Sequence, residues 1–376
     1  MLRKIFRYLR KSRFRYQPIA EVLIFKENLL YNLKVFKEQN KNLAIAPVLK
    51  SNAYGHGLIQ VAKILDKESV PFLVVDSYYE ALILRNEGIR AKILIIGYTT
   101  KDNIVNSRLK DVAFTIISLD QLIDLAQNLN ISRSFHLKID TGMHRQGILL
   151  KEVEQSLTLL KSNKNIILEG LCSHFADADN SEPTFTLEQI KKWNEVAEKF
   201  EKKYSSIFYH LAATSGVEYS NRIKSNVARV GLGLYGIDQV KKMLLKPALE
   251  LQTIISSIRT IGAGEGIGYG VSFKAKAPMR IATIPLGYFE GIDRRLSNIG
   301  FVKYKNIFCA ILGLVSMNIT IIDITLTPEA KIDDEVTIIS SQKQDENSVE
   351  NIAKLCGTIP YEILVHIPQQ LHRKVV

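Results

Sequence analysis

Short apolar runs alternate with longer amphipathic segments between about residues 42 and 242. Eight of these runs have the length of buried strands: LAIAPVLK, PFLVVD, KILIIG, VAFTII, SFHLKID, IILEGLCSH, IFYHLAAT and NVARVGLGLY. The segments between them have helical periodicity, as in YYEALILRNEG and LEQIKKWNEVAEKFEKK. Eight strands alternating with helices predict an α/β fold, a (β/α)8 TIM barrel, although a doubly wound open sheet would give a similar alternation.

The pattern changes after Pro247. The segments that follow are rich in Ile, Val and Thr and are separated by Gly, Pro, Asn and Asp, with one clear helix at SVENIAKLCG. We therefore predict three parts: a basic N-terminal extension over residues 1–17, a barrel domain over 18–242 and a C-terminal mainly β domain over 243–376.

The net charge of +12 is concentrated at the N-terminus. The first 16 residues, MLRKIFRYLRKSRFRY, carry seven Lys or Arg and no acid, which leaves 43 basic and 38 acidic residues in the remaining 360. The body of the chain is therefore only moderately basic, and we expect no nucleic-acid partner. We interpret the arm as a solvated extension, with weak anchoring to an anionic membrane surface as the alternative.

The sequence also argues against several other classes of protein. No apolar run reaches the ~18 residues that a transmembrane helix needs, and the arm lacks the apolar core of a secretory signal. Three widely spaced cysteines are too few for a disulfide framework, so we predict a cytoplasmic protein. No clustered metal-ligand motif is present, and we expect no catalytic metal.

Polar residues follow the apolar runs where a barrel places its chemistry, at the carboxyl ends of the strands. Lys50 ends the first run, His174 ends the sixth, Ser215 follows the seventh and Arg229 interrupts the eighth. A lysine here could be an ordinary exposed strand end. If it is desolvated in a barrel mouth, its neutral amine can attack a carbonyl and form a Schiff base.

Two glycine-rich stretches are open to more than one interpretation. GLGLYG, residues 231–236, formally matches a dinucleotide-binding pattern, and Glu250 lies near the expected downstream position. The segment follows seven other βα units, and Lys246-Pro247 interrupts the helix that a dinucleotide site would need. We therefore favour a close backbone approach to a phosphate, with purely structural glycines as the alternative. GAGEGIGYG, residues 262–270, surrounds Tyr269 with alternate glycines. It could be a plain turn, or it could position Tyr269 as a general base.

Several of these motifs together resemble the alanine racemases. APVLKSNAYGHG resembles their pyridoxal-phosphate attachment motif, and the similarity continues in order through LKIDTGMHRQG, GLCSHFADAD, NVARVGLGLYG, GIGYGVSF, IPLGYFEGIDRRLSN and GLVSMNITIIDIT. The resemblance spans roughly residues 18–365. It implies a barrel followed by a β domain, pyridoxal 5′-phosphate as cofactor, an amino-acid substrate and a homodimer with shared active sites.

The resemblance also assigns roles to matching positions. Lys50 would hold the cofactor and exchange the substrate α-proton on one face, and Tyr269 of the partner subunit would serve the other face. Arg145 and the backbone at Met317 would bind the substrate carboxylate, Arg229 would face the pyridine nitrogen, and His174 would tune the tyrosine. The remaining matches are phosphate contacts, an entrance tyrosine and a lysine that some members carry as a carbamate: Tyr54, Ser215, Gly231 and Leu232; Tyr288; and Lys138.

Three positions depart from the family pattern. Asn318 and Leu314 stand where the family usually has Asp and Arg, and Gln369 falls where some members have a phosphate-binding tyrosine. We expect an alanine racemase that supplies D-alanine for peptidoglycan. A racemase for serine or another amino acid is the close alternative, and a binding protein that has lost efficient catalysis and uses its basic arm is a second.

Overall fold

A computed structural model describes residues 17–204, 206–238 and 243–376. The basic arm, residues 1–16, lies outside the described residues, and so does our interpretation of its role. The chain divides into two compact units. One is formed by Phe25–Ala248, and the other joins the segment that ends at Ile24 to Leu249–Lys374.

This division differs from the predicted boundaries at both ends of the barrel, which begins at Phe25 and not at residue 18, and ends at Ala248 and not at residue 242. Strand β1, Ala20–Ile24, belongs to the unit that contains the C-terminal segment and not to the barrel. Its residues alternate between buried and half-buried positions, as in a strand with one face on a core. It pairs antiparallel with Leu249–Ile254, with Leu23 opposite Glu250. A partner more than 200 residues away is not visible in local periodicity.

The eight predicted barrel strands are confirmed. They are β2 Ala44–Pro47, β3 Leu73–Val75, β4 Ile93–Ile95, β5 Val112–Ile116, β6 Arg133–Lys138, β7 Ile166–Cys172, β8 Phe208–His210 and β9 Val227–Val230. Strands β3 to β8 form one parallel sheet in chain order, and β2 pairs in parallel with β9.

Backbone hydrogen bonds at two further seams close these strands into a barrel. Leu49 N–H donates to the Val74 carbonyl (2.7 Å), which joins β2 to β3. Arg229 N–H donates to the Ala212 carbonyl (3.0 Å), which joins β9 to the segment that extends β8. The open doubly wound sheet is thereby excluded, and the carboxyl ends of all eight strands share one rim.

Helices follow most of the strands: α1 Lys26–Gln39, α2 Leu58–Leu65, α3 Tyr78–Asn86, α4 Lys101–Asn106, α5 Leu119–Asn128, α6 Val153–Ser162 and α7 Thr184–Glu201. Hydroxyl side chains cap several of them, because a cap satisfies an N–H group that has no partner within the helix. Ser77, Thr100 and Ser118 each accept a hydrogen bond from a backbone amide of the first turn. No helix of the described residues is long and apolar enough to cross a membrane.

The second unit is built on a nine-stranded sheet, as the Ile, Val and Thr content predicts. Besides β1, its strands are β10 Leu249–Ile254, β11 Ser257–Ile261, β14 Met279–Ile284, β15 Phe301–Tyr304, β16 Ile307–Leu312, β17 Thr320–Asp323, β18 Glu335–Ile339 and β19 His372–Val375. Their order in the sheet is β11-β14-β17-β16-β15-β18-β10-β1-β19. Helices α8 Val349–Leu355 and α9 Pro360–Val365 follow β18, and a small hairpin of β12 Gly266–Ile267 and β13 Phe273–Lys274 carries Tyr269 between its strands.

Candidate active site

Lys50 lies just past the carboxyl end of β2, where the chain enters an unusual backbone conformation. Lys50 itself is half-buried. The four residues Ser51–Tyr54 all have positive φ angles, of 51 to 56°. For non-glycine residues the left-handed conformation costs about 1–2 kcal/mol each, and it is seldom adopted by consecutive residues. The surrounding structure must therefore hold this segment in place.

Glu80, in the first turn of α3, holds the beginning of the left-handed segment. Its Oε1 accepts hydrogen bonds from the amides of Ser51 (2.7 Å) and Asn52 (3.4 Å). Its Oε2 accepts from Asp76 (2.8 Å) and Ser77 (3.4 Å), the latter as part of a capping box. Sequence reasoning missed this residue, although the Ser77-x-x-Glu80 spacing is a capping-box pattern.

Arg229, on β9, is a buried cation at the same rim, with 7% of its surface exposed. Its guanidinium donates to the carbonyls of His210 (2.7 Å), Ser173 (2.7 Å) and Leu211 (3.3 Å), and to the ring nitrogens of His210 and His174. None of the ion pairs of the described residues includes Arg229. Burial lowers its pKa, and the Cys172 thiol opposes this effect. The guanidinium remains protonated, because its intrinsic pKa is above about 12.

A chain of ring nitrogens leads from Arg229 into the barrel. A guanidinium can only donate, so His210 Nδ1 accepts and His210 Nε2 carries the ring proton. That proton is donated to His136 Nδ1, 2.7 Å away. Burial, more than the nearby cations Lys92 and Arg229, lowers the pKa of His136 to about 3. Both histidines are neutral at pH 7; sequence reasoning overlooked them because they lie within apolar strands.

His174 is neutral for the same reasons and has a defined tautomer. Its Nδ1 accepts from Arg229 (3.3 Å), so its Nε2 carries the proton and can donate to another group. Its pKa is lowered to about 3, mainly by burial and then by four cations, in decreasing order of effect Arg229, Arg145, Lys138 and Lys50. These four cations make the rim strongly electropositive.

A narrow space separates two turns at the ends of β8 and β9. A Cβ atom added to Gly231 would lie 2.6 Å from the Tyr54 hydroxyl oxygen, so only glycine allows this approach. Gly233 N–H donates to Thr214 Oγ1 (3.3 Å), which ties the turn after β9 to the turn that begins at Ser215. The structure therefore brings together the residues that the resemblance assigns to phosphate binding: Tyr54, Ser215, Gly231 and Leu232.

The dinucleotide-binding interpretation of GLGLYG is wrong. Leu232–Tyr235 forms a four-residue 3₁₀ turn after the last barrel strand, not the start of a long helix in an open sheet. Glu250 lies on β10 of the other unit, where its carboxylate accepts a hydrogen bond from the Ser341 hydroxyl (2.7 Å). It is engaged in sheet structure and does not face a ribose.

Lys138 and Arg145 lie on β6 and on the loop that follows it. Arg145 is exposed, and Lys138 is half-buried with its Nζ donating to Gln146 Oε1 (3.2 Å). Burial lowers the pKa of Lys138; neighbouring cations add to this effect and Cys172 opposes it. The neutral amine is therefore favoured more than in an exposed lysine.

In the second unit, Tyr269 lies on an exposed turn within the β12–β13 hairpin. Its side chain is 69% exposed. Gly268 and Gly270 have φ angles of 70° and 65°, and Val271 has a φ of 47°, which is an outlier for a β-branched residue. The Val271 side chain fills the space beside Gly266, where an added Cβ would overlap Val271 Cγ1.

Met317 and Tyr288 lie on two loops of the same unit that are joined to each other. The amides of residues 288 and 289 donate to the carbonyls of Ser316 (3.0 Å) and Met317 (2.9 Å). Asn318, one of the departures, donates from Nδ2 to Glu290 Oε1 (2.7 Å). An aspartate at position 318 would place two carboxylates together, so Asn318 suits Glu290.

Asn298 links the Met317 loop to the tyrosine turn. Its Oδ1 accepts from the Gly313 amide (2.7 Å), and its Nδ2 donates to the Ser272 carbonyl and hydroxyl (3.4 Å each). The neighbouring Ser297 Oγ accepts from the Val315 amide (3.0 Å). Sequence reasoning missed this link because the segments it joins are far apart in the chain.

The other two departures from the family pattern are Leu314 and Gln369. Leu314 is half-buried, and its amide would lie 3.7 Å from a Cβ added to Gly268, so it borders the tyrosine turn. Gln369 is exposed, and its carbonyl accepts from Arg373 (3.0 Å). Neither side chain replaces the charge or the hydroxyl that the family usually has there.

The barrel rim has the chemistry that pyridoxal phosphate requires. It offers a lysine amine for an aldehyde, a buried guanidinium without a carboxylate partner for a ring nitrogen, and a glycine beside a tyrosine hydroxyl for a phosphate. With the (β/α)8 barrel and the β domain, these features define a class: the barrel-type pyridoxal-phosphate enzymes.

Comparisons with known proteins agree with this class. Residues 24–239 match the family model "Alanine racemase, N-terminal domain", and residues 248–375 match "Alanine racemase, C-terminal domain". An alanine racemase of Syntrophobacter fumaroxidans is 37% identical over 330 residues, which cover 86% of this chain and 88% of that protein. The chain belongs to the alanine racemase family.

Solved structures support the same assignment. An alanine racemase from Clostridium difficile 630 has a TM-score of 0.88 at 30% identity, and the match covers 96% of this chain and 97% of that protein's chain. The Bacillus anthracis enzyme with bound L-Ala-P has a TM-score of 0.88 at 29% identity, with 96% of each chain covered. The predicted family and fold are confirmed, and with them an amino-acid racemase activity that depends on pyridoxal phosphate.

Proposed function

We propose that this chain interconverts L-alanine and D-alanine, with Lys50 and Tyr269 as the two proton-transferring bases. The observation that carries this proposal is the group around Arg229. A buried guanidinium is held by backbone carbonyls beside a neutral His174, at the rim where Lys50 follows β2. This arrangement suits an anionic cofactor that presents a hydrogen-bond acceptor to the barrel.

The barrel residues would hold the cofactor at three points. Lys50 would bind its aldehyde carbon, Arg229 would donate to its ring nitrogen, and the phosphate would lie against Tyr54, Ser215, Gly231 and Leu232. When bound, pyridoxal phosphate supplies a conjugated system that delocalises the electron pair left on the substrate α-carbon. Because Arg229 keeps its proton, the ring nitrogen stays unprotonated, which favours return of a proton to the α-carbon.

Lys50 and Tyr269 would move the α-proton on opposite faces of the substrate. One group accepts the proton at its Nζ or Oη atom while the other donates its own proton, and the configuration at the α-carbon is inverted. Arg145 and the backbone at Met317 would fix the substrate carboxylate. The Nε2 proton of His174 is available to stabilise the phenolate of the tyrosine.

We propose that Tyr269 and Met317 act in the active site of a partner subunit, in a homodimer. Large apolar side chains are exposed on the loops that carry these two residues, and this is unusual unless the loops form an interface. The exposed side chains are Tyr269, Val271, Tyr288, Phe289, Met317 and Ile319. A second copy of the chain would cover them and complete each site.

Two substitutions test the catalytic roles. We expect Lys50→Ala to remove the visible absorbance of the bound cofactor, and both Lys50→Ala and Tyr269→Phe to lower kcat/KM for alanine by about 10²–10⁴-fold, the contribution of a positioned base. Tyr79→Phe is a matched control, because Tyr79 is also 69% exposed. A Lys50→Ala protein that keeps both the absorbance and the activity would refute the mechanism.

A racemase for serine or another amino acid is the second candidate, favoured by the loss of charge at Leu314 and Asn318. The loss of optical rotation should be measured for a panel of L-amino acids under identical conditions. The proposal expects alanine to have the highest kcat/KM. A higher value for another amino acid would replace alanine as the substrate.

We further propose that the protein acts in the cytoplasm and supplies D-alanine for peptidoglycan. All three cysteines, Cys172, Cys309 and Cys356, are free and buried, as suits a reducing compartment. Expression in a bacterial host that requires added D-alanine should restore growth without it. Failure of growth with an enzyme that is active in the lysate would contradict the biosynthetic role.

A further inference from the structure

One carboxylate connects the Lys50 loop to the neighbouring βα unit of the barrel. Glu80 accepts from Ser51 and Asn52 through Oε1 and from Asp76 and Ser77 through Oε2. The shorter contact on each side is 2.7 and 2.8 Å, within the range of charge-assisted hydrogen bonds. Glu80 is half-buried, so water competes only partly for these bonds.

The Oε1 bonds hold the part of the chain that most needs support. Ser51 and Asn52 are the first two residues of the left-handed segment, directly after Lys50. Two further bonds of the segment are local: Ala53 N–H donates to the Leu49 carbonyl (2.8 Å), and Asn52 Oδ1 accepts from the Leu58 amide (2.9 Å). Glu80 joins the segment's first two amides to a different βα unit.

We propose that Glu80 is a positioning residue for Lys50. By fixing the amides of Ser51 and Asn52, it sets the direction of the Lys50 side chain at the barrel rim, and it places Tyr54 beside Gly231. This inference rests on the proposed function of Lys50 and Tyr54 as cofactor-binding residues. Glu80 itself does not touch substrate or cofactor in this proposal.

Glu80 positions the Lys50 segment through Oε1 and caps helix α3 through Oε2, and variants of Ser77 and Glu80 can distinguish these two roles. Ser77→Ala removes the other half of the capping box, the bond from Glu80 N–H to Ser77 Oγ (3.2 Å), and leaves the contacts with Ser51 and Asn52 intact. Glu80→Ala removes both the contacts with the Lys50 segment and the contribution of the Glu80 side chain to the cap of α3. Glu80→Gln is a milder variant, because an amide has one acceptor oxygen and its nitrogen only donates.

The experiment compares these variants with the full-length holoenzyme in three measurements: the dissociation constant of pyridoxal phosphate, the induced circular dichroism of the cofactor band, and kcat and KM for alanine. For Glu80→Ala we expect about a tenfold weaker affinity for the cofactor, because the Lys50 segment loses its hydrogen bonds to Glu80 and the misalignment costs about as much as one charge-assisted hydrogen bond. We also expect a changed dichroic band and a lower kcat with KM within about twofold, since Arg145 and Met317 are unchanged.

Ser77→Ala should lower the melting temperature and leave the cofactor affinity, the dichroic band and kcat within about twofold of wild type. If Glu80→Ala does not fold, Glu80→Gln is expected to show the same changes in smaller measure. Wild-type cofactor affinity and dichroism in Glu80→Gln, or equal changes in the Glu80 and Ser77 variants, would overturn the inference. Either result leaves the role of Lys50 intact, because Lys50→Ala tests that role separately.

Discussion

A single buried residue, Arg229, determines the tautomers of two histidines at the barrel rim. The Arg229 guanidinium keeps its charge, and its donors determine which nitrogen of His210 and of His174 carries a proton. Burial and the nearby cations then keep these rings and His136 neutral. A neutral His174 can donate a hydrogen bond without adding a further positive charge to a site that already contains several cations.

These histidines make stability depend on pH. The pKa of His136 is lowered to about 3 in the folded protein from an ordinary value of 6.5. Between these values the unfolded chain binds a proton that the folded protein does not, so the free energy of unfolding falls as the pH drops from about 6.5 toward 3. Each such group contributes a slope of up to about 1.4 kcal/mol per pH unit.

We therefore expect His136→Asn to flatten this acid dependence, since Asn Oδ1 can accept the His210 proton in place of Nδ1. Urea unfolding at several pH values between 5 and 7.5 would measure the slope. His372→Asn is the control, because His372 is exposed and pairs with Glu21 at the surface. Equal slopes for wild type and His136→Asn would contradict the assigned protonation.

At the scale of elements, the β12–β13 hairpin carries Tyr269, the second base of the proposed mechanism. Ile267 and Phe273 pair across the hairpin, and the turn between them contains three residues with positive φ. Such a backbone is retained only when neighbouring groups hold it. Gly266 provides the space for Val271, and Asn298 ties Ser272 to the Gly313 amide.

We expect Gly266→Ala to displace the tyrosine turn and lower kcat/KM about 10-fold or more, an order of magnitude set by the loss of a positioned base. Enantiomers have equal free energies, so kcat/KM must fall equally in both directions. The primary deuterium isotope effects should diverge: the effect should increase for the enantiomer whose α-proton Tyr269 removes and decrease for the other. Gly262→Ala is the control, because only the flexible Glu265 side chain lies near its Cβ. Parallel changes in both isotope effects would refute this prediction.

At the scale of the whole molecule, the proposed active site needs two copies of the chain. In this proposal each copy contributes the barrel rim with Lys50 to one site, and Tyr269 and Met317 to the site of the other copy. In a closed two-fold dimer both sites are equivalent, so each site is lost when either donor residue is lost.

Mixed dimers test this exchange. Lys50→Ala and Tyr269→Phe should each be inactive, but equal amounts refolded or co-expressed together should recover about a quarter of wild-type activity, because half of the dimers are mixed and each has one intact site. Mixing Lys50→Ala with itself is the control. Absence of recovery in mixed dimers that are isolated by two affinity tags would show that Lys50 and Tyr269 act within one chain.

Much of this architecture follows from local sequence patterns, and the rest depends on distant contacts. The eight barrel strands and most strands after Pro247 have periodicities that identify them, but no pattern predicts the short strand β19. Periodicity does not reveal the place of β1 in the sheet, because its partner strand begins far away in the chain, at Leu249. Glu80, His210 and Asn298 escaped prediction for the same reason, since their importance comes from residues that only the fold brings near. Lys50 and Tyr269 could be proposed as site residues from the sequence because their neighbours in the chain form recognisable motifs.

The position of β1 has a consequence for synthesis on the ribosome. Its neighbours in the sheet are β10 and β19, and β19 comprises the last strand residues, His372–Val375. The entire barrel is therefore translated while β1 has neither edge paired, and the sheet is complete only after His372–Val375 emerge. A nascent chain that stalls or is truncated before β19 leaves β1 as an open edge, the kind of surface that promotes association with other chains.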